Sequence, residues 1–326
     1  MGSFHSLKED ATGATLYQGN ASTVRAPSGQ VTYDPRDGIF EVTFNDDKAG
    51  IDRNIRFQDP AHRTNFPGAE RPDIEVPNFA GFNYLEALDT DENAVFFYER
   101  PGNNTAYVSL AGFVRTHVDT AANNFLAEHG VFVFGQVTPR AQVPISGSGT
   151  YQGGFLATLV ENPTLDSGAP ASSILQWMSG TSRVDVNFAT AALTVQLDGV
   201  VGATYIKDVQ VSDLALTVPS NARFSATGAA TIDYVRSGGF TGSFSSAGFT
   251  WPGKTQPVSF QSVNPGNDTA GASSIDGTFF GPNAINLGGN FGSSAASPTS
   301  ASTSSAPSPA RSSKPRPAGT EPCAPP

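Results

Sequence analysis

Apolar and polar side chains alternate with a period of two along much of this 326-residue chain, which is typical of strands that bury one face. In Gly38–Asn45, Phe or Val takes every second position. Arg183–Gly199 alternates on both sides of a turn at Ala189–Ala191 and therefore predicts a hairpin. Val95–Tyr98 and Thr105–Val114 flank a Pro-Gly-Asn-Asn turn and predict another. Further strands are predicted at Val131–Val137, Tyr205–Val211, Leu214–Val218, Ala230–Val235, Phe240–Phe244 and Ser274–Phe280.

Helical patterns are scarce in the sequence. Thr120–His129, which Gly130 follows, predicts one short helix. Residues 46–93 carry many charges and several prolines, and they predict long loops that cover a sheet face. Because crossover helices are missing from the pattern, a parallel Rossmann or TIM architecture is disfavoured. The alternation and the frequent glycines predict an all-β barrel or sandwich instead.

The composition changes near the C-terminus. The chain has 34 Gly and 24 Pro but only 15% charged residues, against roughly 25% in a typical globular protein. After Phe291 aromatic residues cease, and the remaining Ser-, Ala- and Pro-rich segment predicts a disordered tail. A second boundary is expected at Pro139–Pro144, where the charged, loop-rich part gives way to regular alternation. We therefore divide the chain into residues 1–143, 144–292 and 293–326.

The charge and the cysteine content narrow the class of protein. A formal net charge of −10 disfavours a nucleic-acid partner and attachment to an anionic membrane. No apolar run approaches the roughly 18–20 residues that span a bilayer. The single cysteine, Cys323, excludes an intrachain disulfide and a thiolate zinc site. Met1–Glu9 shows neither a signal peptide nor a lipid-anchor cysteine, so we expect a chain that stays inside or a reading frame that begins after its export signal.

Catalytic and metal-binding patterns are weak. Ser146–Gly149 precedes a strand, whereas the Gly-Xaa-Ser-Xaa-Gly elbow of hydrolases leads into a helix. The acidic residues fall on polar strand faces and in turns, where solvated carboxylates are expected. The four histidines have no short-spaced pair, although His117 and His129 flank strands and can meet in space. We expect no enzyme, no metal site and no cofactor, with haem left open as a ligand.

One segment resembles a known family. Ile275–Phe291 contains Gly-Thr-Phe-Phe-Gly-Pro-Asn-Ala followed by Gly-Gly, and it resembles the closing segment of the β-barrel in the transferrin-binding protein B family of bacterial surface and solute-binding proteins. Phe134–Gly153 and Val184–Leu193 are similar to other parts of that barrel. Tyr107–Phe113 is similar to the handle-like sheet before it. These segments occur in the order that the family shows.

The resemblance implies a fold and a function. The expected fold is an antiparallel β-barrel of about eight strands, preceded by a smaller handle-like β region and followed by the disordered tail. The expected function is that of a non-enzymatic, exported binding protein at the cell surface or outer membrane, or secreted, which binds a host or environmental protein or an iron source such as haem. The alternative is a structural or interaction module of the bacterial cell envelope without a small-molecule ligand.

Candidate contact residues are expected on loops, because a small barrel filled by its own side chains has no cavity for a ligand. The loops considered are residues 46–93 and the turns around Pro101–Asn104, Trp251–Gln256 and Asn264–Thr269. Trp251 is the candidate anchor, since Trp is favoured at interface hot spots. The individual partner-binding candidates are Trp251, Asn103, Asn104, Lys254 and Asn267, and the possible haem ligands are His117 and His129.

Overall fold

The computed structural model describes residues 2–9, 15–19, 28–47, 49–58, 76–88, 92–100, 102, 106–119, 124–161, 172–207, 209–214, 218–256, 258–259, 273–294, 301–307 and 310–311. In these ranges the regular structure consists of strands and two 3₁₀ turns, Arg140–Gln142 and Pro282–Ala284. The strands are β1 (Gly2–Glu9), β2 (Thr15–Gly19), β3 (Ser28–Asp34), β4 (Ile39–Asp46), β5 (Ile51–Gln58), β6 (Phe82–Leu88), β7 (Glu92–Glu99), β8 (Val108–Asp119), β9 (Asn124–Gly135), β10 (Ser148–Glu161), β11 (Ile174–Asn187), β12 (Ala192–Ile206), β13 (Val209–Val211), β14 (Arg223–Ile232), β15 (Phe240–Thr250), β16 (Val258–Ser259), β17 (Ser273–Phe280), β18 (Asn286–Ser294), β19 (Ala301–Pro307) and β20 (Ala310–Arg311).

Three antiparallel sheets organise these strands. The first, here called the handle sheet, has the order β2-β1-β9-β8-β7-β6, and β3-β4-β5 form a separate three-stranded sheet. The third sheet contains every described strand from β10 onward. The three-stranded sheet covers one face of the handle sheet through an aromatic cluster, in which the rings of Phe44 and Phe113 stack 3.8 Å apart. Both faces of the handle sheet are therefore buried, because the other one lies on the barrel.

Eight strands of the third sheet pair in a ring, β10-β11-β12-β14-β15-β17-β18-β19 and back to β10. The pairing between β15 and β17 is the shortest, with three residue pairs from Phe240 to Gly242, so the barrel is nearly closed. The all-β fold and the antiparallel barrel of eight strands are thereby confirmed. None of the helical turns in the described ranges has the length and hydrophobicity that crossing a bilayer requires.

Aromatic rings fill the barrel interior. One row across the wall runs Phe155, Gly180, Gly199, Phe224, each residue paired with the next. The two glycines leave room inside for the flanking rings, whose centres lie 6.0 Å apart. A Cβ built on Gly199 would come within 2.4 Å of Phe155 Cζ. Glycine at this position is therefore a packing requirement of the core.

The segment Ile275–Phe291 connects barrel and handle sheet. It forms β17, the 3₁₀ turn and β18, and Gly281 takes a φ of 71° that favours glycine. A Cβ at Gly281 would come within 2.6 Å of the Tyr107 ring, which precedes β8. Thr138 Oγ1 donates a hydrogen bond of 2.6 Å to the Gly281 carbonyl. The sequence motif is thus the place where the handle, the linker and the barrel meet.

The predicted helix at Thr120–His129 is wrong where the structure describes it. Residues 124–129 belong to strand β9, which pairs with both β1 and β8. Glu128 and His129 point to opposite faces and both are buried. Because the handle sheet is covered on both faces, β9 lacks the polar-out alternation by which strands are usually recognised.

The predicted long loops of residues 46–93 are also corrected. This range contains β5 and β6 as well as the first residues of β7, while residues 48, 59–75 and 89–91 lie outside the described part. Two of the charges that suggested loops are paired: Arg53 of β5 donates to Glu128 Oε1 at 2.7 Å, and Glu92 of β7 accepts from Arg115. Tyr84 of β6 donates to the Pro77 carbonyl at 2.6 Å and fixes the segment before the strand.

Part of the segment 293–326 departs from the expected disorder. Ala301–Pro307 forms β19 between β10 and β18, and Ala310–Arg311 forms a short strand beside β18. The backbone hydrogen bonds of β10 and β18 account for β19, because strand pairing requires no apolar side chain.

The strand predicted at Leu214–Val218 is not confirmed at its two ends. Leu214 and Val218 both lie outside strands.

Candidate binding surface

The handle sheet lies with its second face on the outside of the barrel, and we call this contact the joint. It is built from apolar side chains of both partners, among them Val131 of β9 and Leu156 of β10. The Phe97 ring of β7 meets the Trp177 ring of β11 edge-on, with 5.6 Å between their centres. The joint is the part of the molecule where residues from both halves of the chain form common surfaces.

A cleft of about 350 Å³ opens at the edge of the joint. Its handle side carries Phe79 and Phe82, whose ring centres are 5.3 Å apart, and Leu110 of β8. The barrel side carries Leu156 of β10 and Thr181 of β11. The cleft is mainly apolar and is formed by side chains from segments that lie far apart in sequence.

A second concavity, here called the groove, continues from the cleft over the barrel wall. It has a volume of about 480 Å³ and shares Ser179, Gly180 and Thr181 with the cleft. Val200 lies in it and is 45% exposed although it is apolar. The groove ends at Thr250, the residue before Trp251. Its other lining residues are Asp198, Gly199, Arg223, Phe224 and Ser225.

Polar contacts connect β11, β12 and the segment around Asp213 at one end of the barrel. Gln176 Nε2 donates to the Val218 carbonyl at 2.9 Å and to Thr204 Oγ1 at 3.1 Å. Asp213 accepts hydrogen bonds from Ser220 and Thr204, and these bonds, those from Ser220 above all, hold its pKa below the usual value. Because aromatic rings fill the interior, the concave surfaces described above lie on the outside of the barrel.

The cleft and groove carry few ionisable side chains. Glu99 and Asp198 are their acidic residues, and Arg223 is the one basic residue among those that line them. No group of three His, Cys, Asp or Glu side chains that could hold a metal ion occurs within the described ranges. An aromatic pair beside hydroxyl and charged groups is the composition found at protein-binding surfaces.

Two of the predicted contact residues adjoin the groove. Trp251 is half-buried and packs against the barrel core, and Lys254 is exposed in the turn that follows. The Lys254 N–H donates to the Trp251 carbonyl at 3.0 Å, which fixes this turn. Asn103, Asn104 and Asn267 lie outside the described residues. A contact role for Trp251 and Lys254 stays a prediction.

The two possible haem ligands do not converge. His117 pairs with Leu126 across β8 and β9, whereas His129 pairs with Val114. Side chains of paired residues share a face and successive residues alternate, so the two imidazoles lie on opposite faces of the handle sheet. His129 is fully buried, with no exposed edge for a haem. The geometry contradicts a haem site shared by these residues.

Most residues that line the cleft and groove belong to no sequence pattern that indicates a site. Phe79 and Phe82 precede or begin β6, in the range expected to be loop. Val200 carried a usable signal, because it follows the alternating run of β12 and places an apolar side chain on the outer face. No local pattern indicates that Thr181 lies beside Leu110, since only the joint brings them together.

The fold and the surface define an all-β protein with a filled barrel, a handle sheet docked on its outside, and a concave outer surface where the two meet. Within that class the particular family is shown by a sequence match. The family described as the C-lobe and N-lobe beta barrels of Tf-binding protein B matches residues 143–307, half of the chain. The chain belongs to this family.

Several solved structures of the same family are similar to the chain. Transferrin binding protein B of Haemophilus parasuis Hp5, in a double mutant, is 17% identical with a TM-score of 0.37, over 87% of this chain and 53% of that one. Intact Ap-TbpB, with N and C lobes, is 15% identical with a TM-score of 0.37, over 88% and 55%. The isotype 1 protein of serogroup B Neisseria meningitidis is 17% identical with a TM-score of 0.32, over 91% and 52%.

The chain therefore spans about half the length of these proteins. No curated protein matches it. Family membership rests on the match to the barrel.

Proposed function

We propose that this chain is a non-enzymatic binding protein of the bacterial cell surface, and that it binds a host or environmental protein along the cleft and groove. The observation that carries the proposal is the match of the barrel to the family of Tf-binding protein B. Transferrin is therefore the first partner to test. Surface location follows from the same family, whose members at the cell surface meet host proteins.

The barrel supports binding on the outside because its interior is occupied. The rings of Phe155, Phe224 and Phe291 meet within it at centre distances of 6.0 to 6.5 Å. The outer wall offers Val200, an exposed apolar side chain between Asp198 and Arg223. An apolar centre with a polar rim is the usual composition of a protein–protein interface.

The test measures transferrin binding to the immobilised chain by surface plasmon resonance. Val200→Arg places a long cation in the groove, and we expect it to weaken binding about tenfold or more, which is about 1.4 kcal/mol. The control is Val235→Arg, the same substitution at a residue that is 79% exposed in the turn between β14 and β15. This control should bind like the wild type.

Three outcomes decide between parts of the proposal. If neither apo- nor iron-loaded transferrin from any of several mammals binds the wild-type chain, transferrin is rejected as the partner. Binding that Val200→Arg leaves unchanged rejects the groove as the contact surface. If the wild-type chain binds none of the host proteins tested, the result favours the alternative, a structural module of the cell envelope.

A further inference from the structure

Two histidines face each other inside the joint. His5 of β1 pairs directly with His129 of β9, so their side chains are neighbours on the same face of the handle sheet. They are 2% and 0% exposed. This face is the one that packs on the barrel, because Leu7 and Val131, which share it, belong to the joint.

The barrel itself touches this pair. The Trp177 ring of β11 lies 6.3 Å from the His129 ring, and the Tyr17 ring of β2 lies 5.9 Å from it. Trp177 is buried, and it also meets Phe97 of the handle sheet. A change at His129 therefore acts directly on the contact between handle sheet and barrel.

The ionisable groups around the pair come from both sides of the joint. Arg115 and Glu128, which are ion-paired, lie on the opposite face of the handle sheet. Among the described residues, the ionisable side chains on the joint side include Tyr17, Tyr84, Tyr107, Glu86 and Glu99 of the handle part, and Tyr205, Lys207 and Asp276 of the barrel. Lys207 Nζ lies 5.5 Å from the centre of the Phe125 ring, near the beginning of β9.

Burial favours the neutral imidazoles. Desolvation lowers the pKa of His5 to about 4. Desolvation lowers the pKa of His129 to about 3, and the charge of His5 contributes to that shift. Solvent-exposed imidazoles keep a pKa of about 6.5, so below that pH a separated joint binds protons that the closed joint does not. Acid therefore favours separation of the joint. At two pH units below 6.5, each imidazole raises the equilibrium constant for separation by about 100-fold.

We propose that the His5–His129 pair makes the joint an acid-sensitive latch, which opens when both imidazoles take up protons while the barrel stays folded. The barrel keeps its fold because its strands form their own ring of pairs around the aromatic interior. Opening separates Leu110 from Leu156 and so removes the cleft. Release of a bound protein in acid would rest on the proposed function; the opening itself does not.

The experiment uses the tryptophan in the joint as the reporter. The chain has two tryptophans, so Trp251→Phe leaves Trp177 as the single emitter. The emission is recorded from about pH 8 to about pH 4, together with far-ultraviolet circular dichroism. We expect a reversible red shift of emission between about pH 6 and about pH 4 as Trp177 meets water, with most of the strand signal retained.

Substitutions of histidine identify the source of the transition. In the same background, His5→Gln with His129→Gln should move the midpoint down by at least about one pH unit, and either single substitution should move it by less. His117→Gln is the matched control, since His117 lies on the other face of the handle sheet. It should leave the midpoint unchanged. If the double variant does not fold at neutral pH, the two single variants decide the question.

Three results would overturn the latch. The first is an emission of Trp177 that stays unshifted down to about pH 4. The second is a midpoint that the histidine substitutions do not move, which assigns the transition to carboxylates. The third is loss of the strand signal in step with the red shift, because the whole chain then unfolds and the joint does not open separately. Each measurement is independent of transferrin, so its failure leaves the proposed function standing.

Discussion

Glu128 is predicted to hold the three-stranded sheet on the handle sheet. Its carboxylate is fully buried and accepts from Arg53 Nη2 at 2.7 Å and from Arg115 Nη1 at 3.1 Å. Arg53 belongs to β5 of the three-stranded sheet, whereas Glu128 and Arg115 belong to the handle sheet. The substitution Glu128→Gln removes the negative charge while keeping the size of the side chain.

The magnitude follows from what the substitution leaves behind. Removing one partner of a buried ion pair costs about 3–5 kcal/mol. Arg115 keeps Glu92, with both contacts at 2.6 Å, and the Arg53 side chain is 30% exposed and can turn to water. We therefore expect Glu128→Gln to lower the free energy of unfolding by the lower end of this range, about 3 kcal/mol. Burial lowers the pKa of Arg115, but Glu92 and Glu128 outweigh it and raise the pKa, so this guanidinium stays charged.

Urea unfolding followed by circular dichroism measures the loss of stability, and hydrogen exchange locates it. Amides of β4 should exchange faster in Glu128→Gln, since the three-stranded sheet loses its charged contact. A double-mutant cycle with Arg53→Met should show a coupling of about 1–3 kcal/mol. The matched control is Arg183→Ala, which breaks an exposed pair of 2.9 Å and should not move the midpoint measurably. Equal losses in Glu128→Gln and in this control would refute the reasoning.

Three further predictions test the barrel and the acid response. Gly199→Ala should lower the stability of the barrel by about 1–3 kcal/mol in thermal unfolding, because the new Cβ meets Phe155 Cζ at 2.4 Å and Ser179 O at 2.8 Å; an unchanged melting temperature contradicts this packing. The hydrogen bond from Arg115 holds the pKa of Glu92 below 4.5, so its stabilisation is complete above that pH and is lost as the pH falls further. In Glu92→Gln, the free energy of unfolding should therefore fall less steeply below about pH 4.5 than in the wild type. A pH dependence parallel to that of the wild type would reject this assignment. A chain that ends at Ser294 lacks β19 and should self-associate in size-exclusion chromatography, whereas a monomer would show that β10 and β18 need no partner.

The barrel could be predicted from sequence where its strands, away from the joint, keep one face in water. β12 shows this most directly: Leu193, Val195 and Leu197 face the core, and the residues between them are exposed. The hairpin of β11 and β12 therefore appears as two alternating runs around a turn, and the structure confirms it. Eight such pairings form the ring, and the alternation and the turns indicate those of the strands that keep one polar face.

The handle sheet was harder to predict for a physical reason. It is buried on both faces, so β9 carries Glu128 and His129 side by side and neither position is exposed. Polar residues at buried positions resemble a loop or a helix surface until their partners are known. Arg53, the partner of Glu128, lies 75 residues away in sequence, and no local pattern connects the two.

The sequence indicates only residues beside the candidate surface, Trp251 and Lys254, whose contact role stays a prediction. Trp251 and Lys254 stand out locally, because a Trp-Pro-Gly turn is visible in the sequence. The cleft has walls from β8, β10 and β11, and its shape depends on how the handle sheet docks on the barrel. The positions of such residues follow from tertiary packing, which single-sequence periodicity does not contain.

The strand β19 shows why composition alone is an incomplete guide to order. A Ser-, Thr- and Ala-rich segment buries too little apolar area to fold by itself, and in isolation the prediction of disorder would hold. Next to an open barrel the balance changes, because β10 and β18 each present a row of backbone groups that need partners. Ala301–Pro307 pairs with both strands and supplies those partners through its backbone. Composition therefore predicts disorder for a segment only where no open strand edge lies within its reach.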